Sequence, residues 1–213
     1  TLVEQILASH SQVEGTMELP DIPALAARVG ARKGGLDAFE PDELRAMGEE
    51  YLERTRIQRK TAKSFFIDKL QNNWAHIGLI QLILPNAKIV DARRHPLGCC
   101  FSNFKQHFAR GQAFSYGLDD MGRYYADYVR YLAHIDAVLP GRVHRVIYER
   151  MVEDSETEIR ALLAALDLPF EESCLRFYEN DRAVRTASSE QVRRPIYREG
   201  TEQWQMFEPW LGA

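Results

Sequence analysis

Little in this 213-residue sequence announces a partner, and what is scarce narrows the field first. The three cysteines, Cys99, Cys100 and Cys174, are an odd number without a CxxC pair. That excludes a disulfide scaffold and a cysteine zinc site, and favours a reducing, cytoplasmic setting. Positive charge is not in excess: 27 Lys and Arg face 31 Asp and Glu, for a net charge of −4. Broad nucleic-acid binding by bulk charge is thereby excluded, while a local basic pocket is not. No apolar run approaches the ~18–20 residues of a membrane span, so no membrane association is expected. The opening "TLVEQILASH" lacks a basic leader and a small-residue cleavage site, unlike a signal peptide. It also lacks an initiator Met, which suggests a processed product or a fragment. The six histidines are scattered with neither metal-ligand spacing nor a readable triad, so no metal is expected. His76 and His134 read as structural and His95 as a turn residue.

What is present is ordinary globular composition, 45% hydrophobic and 27% charged, without repeat, low-complexity tract or linker. A single domain over residues 1–213 is the expectation. Leu2, Val3, Ile6 and Leu7 share one helical face, so the chain begins inside a helix. Residues 11–23 carry the Gly, Pro and polar residues of a loop. "PDELRAMGEEYLERT" (41–55) is a surface helix with Pro41 in its first turn. "KSFFIDK" (63–69) reads as a strand, 72–85 as an apolar helix, 87–92 as a second strand and 96–108 as a helix. Leu118, Met121, Tyr125, Tyr128, Leu132, Ile135 and Leu139 step alternately by 3 and 4, the strongest helix signal in the chain. "VHRVIY" (143–148) alternates as a strand, and Ser155 to Glu158 resembles a capping box opening a helix through Leu166.

This alternation is the rhythm of an α/β fold around a parallel sheet. Ligands in such folds lie at the carboxyl ends of the strands. The three expected ends carry polar pairs: Asp68–Lys69, Arg93–Arg94 and Tyr148–Glu149. In "KIVDARRHPLGCCFSNF" (88–104), Arg94 ends a strand and Ser102 follows eight positions later on a helix. A guanidinium fork suits a phosphate, and a helix start adds free N–H groups. Spacing alone leaves a second reading open, with both arginines as surface charges and Ser102 as an indifferent helix residue. Trp74, Tyr124, Tyr125 and Phe177 read as core aromatics rather than a base-stacking box.

"PNAKIVDARRHPLGCCFSNF" resembles the 3′-phosphate-binding segment of sulfotransferases that use 3′-phosphoadenosine 5′-phosphosulfate. The resemblance covers nearly the whole chain. It is closest to the branch of tyrosylprotein sulfotransferases and bacterial enzymes that often carry tetratricopeptide repeats. "TLVEQILASHSQVEGTMELPDIP" is similar to the helix and loop after the family's 5′-phosphosulfate loop, with Thr1 as that loop's last residue. "FFIDKLQNN" resembles the strand that ends in an active-site lysine, Lys69. "VHRVIYERMVEDSETEIRALLAALDLPF" resembles the segment that puts a tyrosine, Tyr148, beside the adenine. "RTASSEQVRRPIY" resembles the C-terminal segment over the nucleotide, with Ser188 and Arg194 in the matching places.

The resemblance implies a P-loop-like sulfotransferase fold, a central parallel sheet flanked by helices. It implies a transferase moving a sulfuryl group from the nucleotide donor to a hydroxyl or phenol, with protein tyrosine among the candidates. Glu18 stands where the tyrosylprotein branch has its general base, Lys69 would stabilise the leaving oxygen, and Ser188 joins them as a catalytic candidate. Thr1, Arg94, Ser102, Tyr148 and Arg194 would bind the donor, with Arg93 either auxiliary or a surface charge. The implied partners are that donor and a hydroxyl-bearing acceptor, with no metal and no nucleic acid, and with a homodimer as an open option.

The sequence departs from the family pattern at two places. The first strand and the phosphosulfate loop are absent before Thr1, and "ARKGG" (31–35) lacks the spacing to replace that loop. Without them the neighbouring strands would lose a pairing partner and the fold should be unstable, so the favoured reading is that the natural protein carries them; an inactive nucleotide-binding or scaffold protein is the alternative. Pro20 stands where the tyrosylprotein branch has an Arg that helps hold an acidic acceptor, which leaves protein, glycan, lipid and small phenol open. A P-loop kinase would need a Walker lysine and Mg²⁺-binding residues, and neither is found.

Overall fold

A computed structural model of the chain describes residues 1–108, 112–184, 189–197 and 199–210. The chain opens with helix α1 (Leu2–Ala8), whose Ile6 and Leu7 are buried as the apolar face requires. Strand β1 (Val13–Gly15) and helix α2 (Asp21–Ala31) follow, then α3 (Pro41–Thr55) and β2 (Phe65–Ile67). A 3-10 turn, Gln71–His76, leads into α4 (Ile77–Ile83). Next come β3 (Ile89–Arg93), α5 (Pro96–Phe104), the long α6 (Leu118–Val138) and β4 (Val143–Ile147). Helices α7 (Tyr148–Glu153) and α8 (Ser155–Ala165) complete the regular core.

All strand pairing is parallel: β1 with β2, and β3 with β4. The expected central sheet is thus present as two separate two-stranded pairs, without hydrogen bonds joining them among the described residues. Parallel pairs need covering on both faces. One core packs α1, β1, β4, α7 and α8 around Ile6, Val146, Met151 and Leu163. A second joins α2, α3 and α4 through Ile22, Met47, Tyr51 and Ile80, and a third joins α4 to α6 through Ile77 and Leu132. Leu162 and Leu163 are wholly excluded from water, worth about 2 kcal/mol each by apolar transfer.

Several local expectations need correction. The stretch 11–23 is not all loop: β1 lies within it, and α2 starts at Asp21 behind Pro20. Tyr148 opens α7 rather than ending a strand, and α5 stops at Phe104 rather than 108. The first part of 72–85 is a 3-10 turn. Asp154, not Ser155, caps α8, its carboxylate accepting the Thr157 N–H at 3.1 Å. Ser155 Oγ instead donates back to the Met151 carbonyl. An acceptor side chain just before the first turn satisfies an otherwise orphaned N–H, and Asp154 fills that place.

Candidate functional site

The β1–β2 ladder runs past the strands themselves. Thr16 Oγ1 donates to the Ile67 carbonyl at 2.6 Å, and the Lys69 N–H donates to the Met17 carbonyl at 2.9 Å. Residues 17 and 69 are therefore held side by side at the carboxyl ends of two parallel strands. Met17 then turns through a left-handed conformation, φ +74°, uncommon for a residue with a side chain. Beyond that turn Glu18 meets Lys69, with Nζ 2.5 Å from Oε1. Lys69 is mostly buried and Glu18 about half exposed, so the pair opens to solvent on the carboxylate side. Lys69 pairs with Glu18 and not with its neighbour Asp68.

Asp68 points the other way, into the second core, where Tyr51 Oη donates to Oδ2 at 2.9 Å. Burial raises its carboxyl to about 6, against the favourable hydrogen bond from Tyr51. Burial also raises the Tyr51 phenol well above its ordinary value, and the Asp68 charge adds to this.

A pocket of about 170 Å³ lies beside the pair, lined by Thr1, Arg94, Tyr148, Arg194 and Tyr197 among others. Four of the five residues expected to bind the donor thus converge, although Arg94 and Arg194 are 100 positions apart. The Arg94 guanidinium lies 4.9 Å over the Tyr148 ring, and that of Arg194 lies 4.5 Å over Tyr197. Burial raises the Tyr148 phenol, while the Arg94 charge opposes the rise. Thr1 joins the two halves: it lines the pocket, and its buried nitrogen lies within the field of Lys69, Glu4 and Glu18.

Two expected residues lie apart from this group. Ser102 is exposed on α5 and does not line the pocket. It is four residues beyond Gly98, however, whose missing Cβ would sit 3.2 Å from Arg94 Nε. Positions four apart share a helix face, so Ser102 follows Arg94 along the same side of α5. Ser188 lies outside the described residues.

Arg93 is not a surface charge. Its Nη2 donates to Asp91 at 3.0 Å and its Nε to Tyr128 Oη at 3.0 Å. The Tyr128 hydroxyl also donates to Asp91, and Arg145 Nε adds a third partner to this buried carboxylate at 2.8 Å. Trp74 meets Tyr124 and Tyr128 edge to face, and Tyr125 meets Tyr128; all four are half-buried rather than core. Phe177 is both core and a pocket wall. His95 begins α5 and stacks on Trp204, with centroids 4.8 Å apart. No group of His, Cys, Asp and Glu among the described residues is arranged to hold a metal ion. A wider groove between α2 and α3 contains none of the expected site residues, and its charged rims pair with each other, as in Arg28–Glu50 and Arg32–Glu43.

Comparisons with known proteins give the family and the fold. A model of the sulfotransferase family matches residues 1–172. The chain belongs to the sulfotransferase family. A protein of Aquifex aeolicus (strain VF5), described only as uncharacterised, is 33% identical over 225 aligned residues and covers 99% of this chain. The chain spans 29% of that relative's length. Two solved sulfotransferase domains share the fold. The domain from the curacin biosynthetic pathway superposes with a TM-score of 0.67 at 16% identity, over 96% of this chain and 85% of its own. That from the Synechococcus PCC 7002 olefin synthase gives 0.65 at 20% identity, over 96% and 82%.

Sequence reasoning missed other residues around this pocket and ion pair. Tyr197 and Ile196 line the pocket, and Trp204 lies against Gly98 beside Arg94. Glu4 and Arg182 lie under the Met17 turn. No local spacing marks Glu4, Arg182 or Trp204, because each acts through a partner distant in sequence.

Proposed function

We propose that this chain transfers a sulfuryl group from 3′-phosphoadenosine 5′-phosphosulfate to a hydroxyl or phenol. The observation that carries the reading is the Lys69–Glu18 contact of 2.5 Å beside a pocket holding Arg94, Arg194 and Tyr148. Two guanidinium forks suit the phosphates, and the tyrosine faces suit a purine, so the residues fit such a donor. Ser102, on the Arg94 side of α5, would add a hydroxyl to the 3′-phosphate.

The acceptor oxygen attacks sulfur in line, forming the new S–O bond as the bond to the 5′-phosphate oxygen breaks. Glu18 takes the acceptor proton, and its open side lets an acceptor reach it. Lys69 meets the negative charge that develops on the departing oxygen. The products are a sulfate ester and 3′,5′-bisphosphoadenosine. Before the acceptor arrives, Lys69 and Glu18 neutralise each other, so an entering hydroxyl must part them. Protein tyrosine stays among the acceptors by resemblance, while Pro20 supplies no charge to hold an acidic peptide. Among the described residues no helix is long and apolar enough to cross a membrane, and all three cysteines are free thiols, which supports a cytoplasmic setting.

The test is calorimetric titration of the full-length protein with 3′,5′-bisphosphoadenosine, with 5′-AMP and ATP as controls. Tight binding that requires the 3′-phosphate is expected, and no preference over 5′-AMP would sink the reading. Binding without sulfuryl transfer to any hydroxyl would leave a non-catalytic nucleotide-binding protein.

A further inference from the structure

Glu4 is a buried carboxylate without a role in the chemistry just described, 3% exposed on α1. Its Oε1 accepts the Met17 N–H at 3.1 Å and Arg182 Nη1 at 3.0 Å. Arg182 is fixed in turn, its Nε donating to Gln5 Oε1 at 3.3 Å and its N–H to Asn180 Oδ1 at 2.9 Å. Met17 is thus gripped on both sides: Glu4 holds its N–H, and its carbonyl accepts the Lys69 N–H at 2.9 Å. This is the residue with positive φ immediately before Glu18. A left-handed non-glycine residue persists only where its surroundings over-determine it, and these two contacts do so.

Gly15 gives independent support. A Cβ there would fall 2.8 Å from Arg182 Nη1 and 2.9 Å from its Cζ. Strand β1 has no side chain at the point where the guanidinium crosses it to reach Glu4. The pair is also an unconvincing device for stability alone. Glu4 Oε2 and Arg182 Nη2 are buried without hydrogen bonds among the described residues, and a buried ion pair with unmet atoms returns little of its desolvation cost.

We propose that Glu4 and Arg182 are positioning residues that hold the Met17 turn, and through it set the Glu18–Lys69 geometry. The kinetic consequence rests on the reading of Glu18 as general base; the structural one does not. Arg182 stands in the segment that leads to the donor pocket, since Arg193 Nη2 donates to its carbonyl at 2.6 Å. Replacing the Arg182 side chain leaves that carbonyl in place.

The test compares the full-length wild type with Arg182→Ala and Gly15→Ala, the latter displacing the guanidinium without removing it. In hydrogen exchange, the Met17 and Lys69 amides are expected to exchange at least ~10-fold faster in both variants, with Leu162 and Leu163 in α8 unchanged. In steady-state assays kcat falls ~10- to 100-fold, as expected of a misplaced reacting group. The donor KM stays within about threefold, and added methylguanidinium restores part of kcat in Arg182→Ala only. Exchange that accelerates equally at all four amides, or not at all at Met17 and Lys69, overturns the proposal. So does an unchanged kcat in an active enzyme. A wild type that transfers no sulfuryl group would refute the base assignment instead, and the exchange data alone would then decide whether the pair holds the turn.

Discussion

Arg93 and Arg94, adjacent in the chain, serve different partners: Arg93 lies 3.0 Å from Asp91, whereas Arg94 lies 4.9 Å over the Tyr148 ring in the pocket. Successive residues at a strand end face opposite sides, so the Arg93 guanidinium joins Asp91 and Tyr128 while that of Arg94 lines the pocket. Arg94→Ala is expected to weaken 3′,5′-bisphosphoadenosine binding ~10- to 100-fold, the worth of a charged hydrogen-bond donor, with little change in melting temperature. Arg93→Ala should do the reverse. It leaves Asp91, 8% exposed, with one fewer cationic partner, at a cost of about 1–3 kcal/mol in stability. Calorimetry and thermal denaturation of both variants separate the two roles.

Glu18→Gln keeps the size and hydrogen-bonding capacity of the side chain but cannot take a proton. A ~10²- to 10⁴-fold fall in kcat is expected, with donor affinity unchanged. Full activity at saturating acceptor would show that the proton goes elsewhere. Lys69→Ala should lower kcat without restoring anything at Glu18, because the developing charge then lacks its cation.

Asp68 supplies a prediction in pH. Burial lifts its folded carboxyl from 3.8 to about 6, so the native state retains a proton that the unfolded chain has already lost. Stability is therefore lost as pH rises through that window, and the penalty is complete above it, on the order of 2–3 kcal/mol. Asp68→Asn removes the ionisation while keeping an oxygen to accept from Tyr51. Its stability relative to wild type should improve between pH 4 and pH 7 in urea denaturation. A flat difference would mean that Asp68 does not titrate there.

Gly48 lies where α3 meets the end of α4. A Cβ at that position would fall 2.0 Å from the Ile83 carbonyl oxygen and 3.0 Å from its carbon. Both are backbone atoms and cannot swing aside. Gly48→Ala is expected to cost about 3 kcal/mol or more, lowering the melting temperature by roughly 6–12 °C. Tyr51 is three residues along the same helix and holds Asp68, so loss of this packing should also disturb the strand end that carries Lys69.

How much of this was legible beforehand depended on length and distance along the chain. Helices α3 and α6 were readable because their apolar residues recur at helical spacing over 15 and 21 residues. Strand β1 was not, since "VEG" is too short to alternate and ends in a glycine that reads as a loop. The start of α2 was hidden by Pro20 and Pro23, which punctuate loops as readily as they open helices. Thr1, Glu18, Lys69, Arg94, Tyr148 and Arg194 were placed by resemblance, and the geometry brings them together around one pocket and one ion pair. The capping role assigned to Ser155 passed to Asp154 because either residue suits the position, and only the path of the chain decides between them.

The contact between Glu4 and Arg182 spans 178 positions. A link of that reach carries a large loop-closure cost and belongs among the last to form during folding. During synthesis, the helix bearing Glu4 leaves the ribosome long before its cation exists. Through that interval the turn before Glu18 has only its strand neighbour to shape it. A half-made chain can therefore collect its local helices while its Glu18–Lys69 pair remains unset, and the geometry of that pair arrives with the C-terminal segment rather than growing in proportion to the structure already formed.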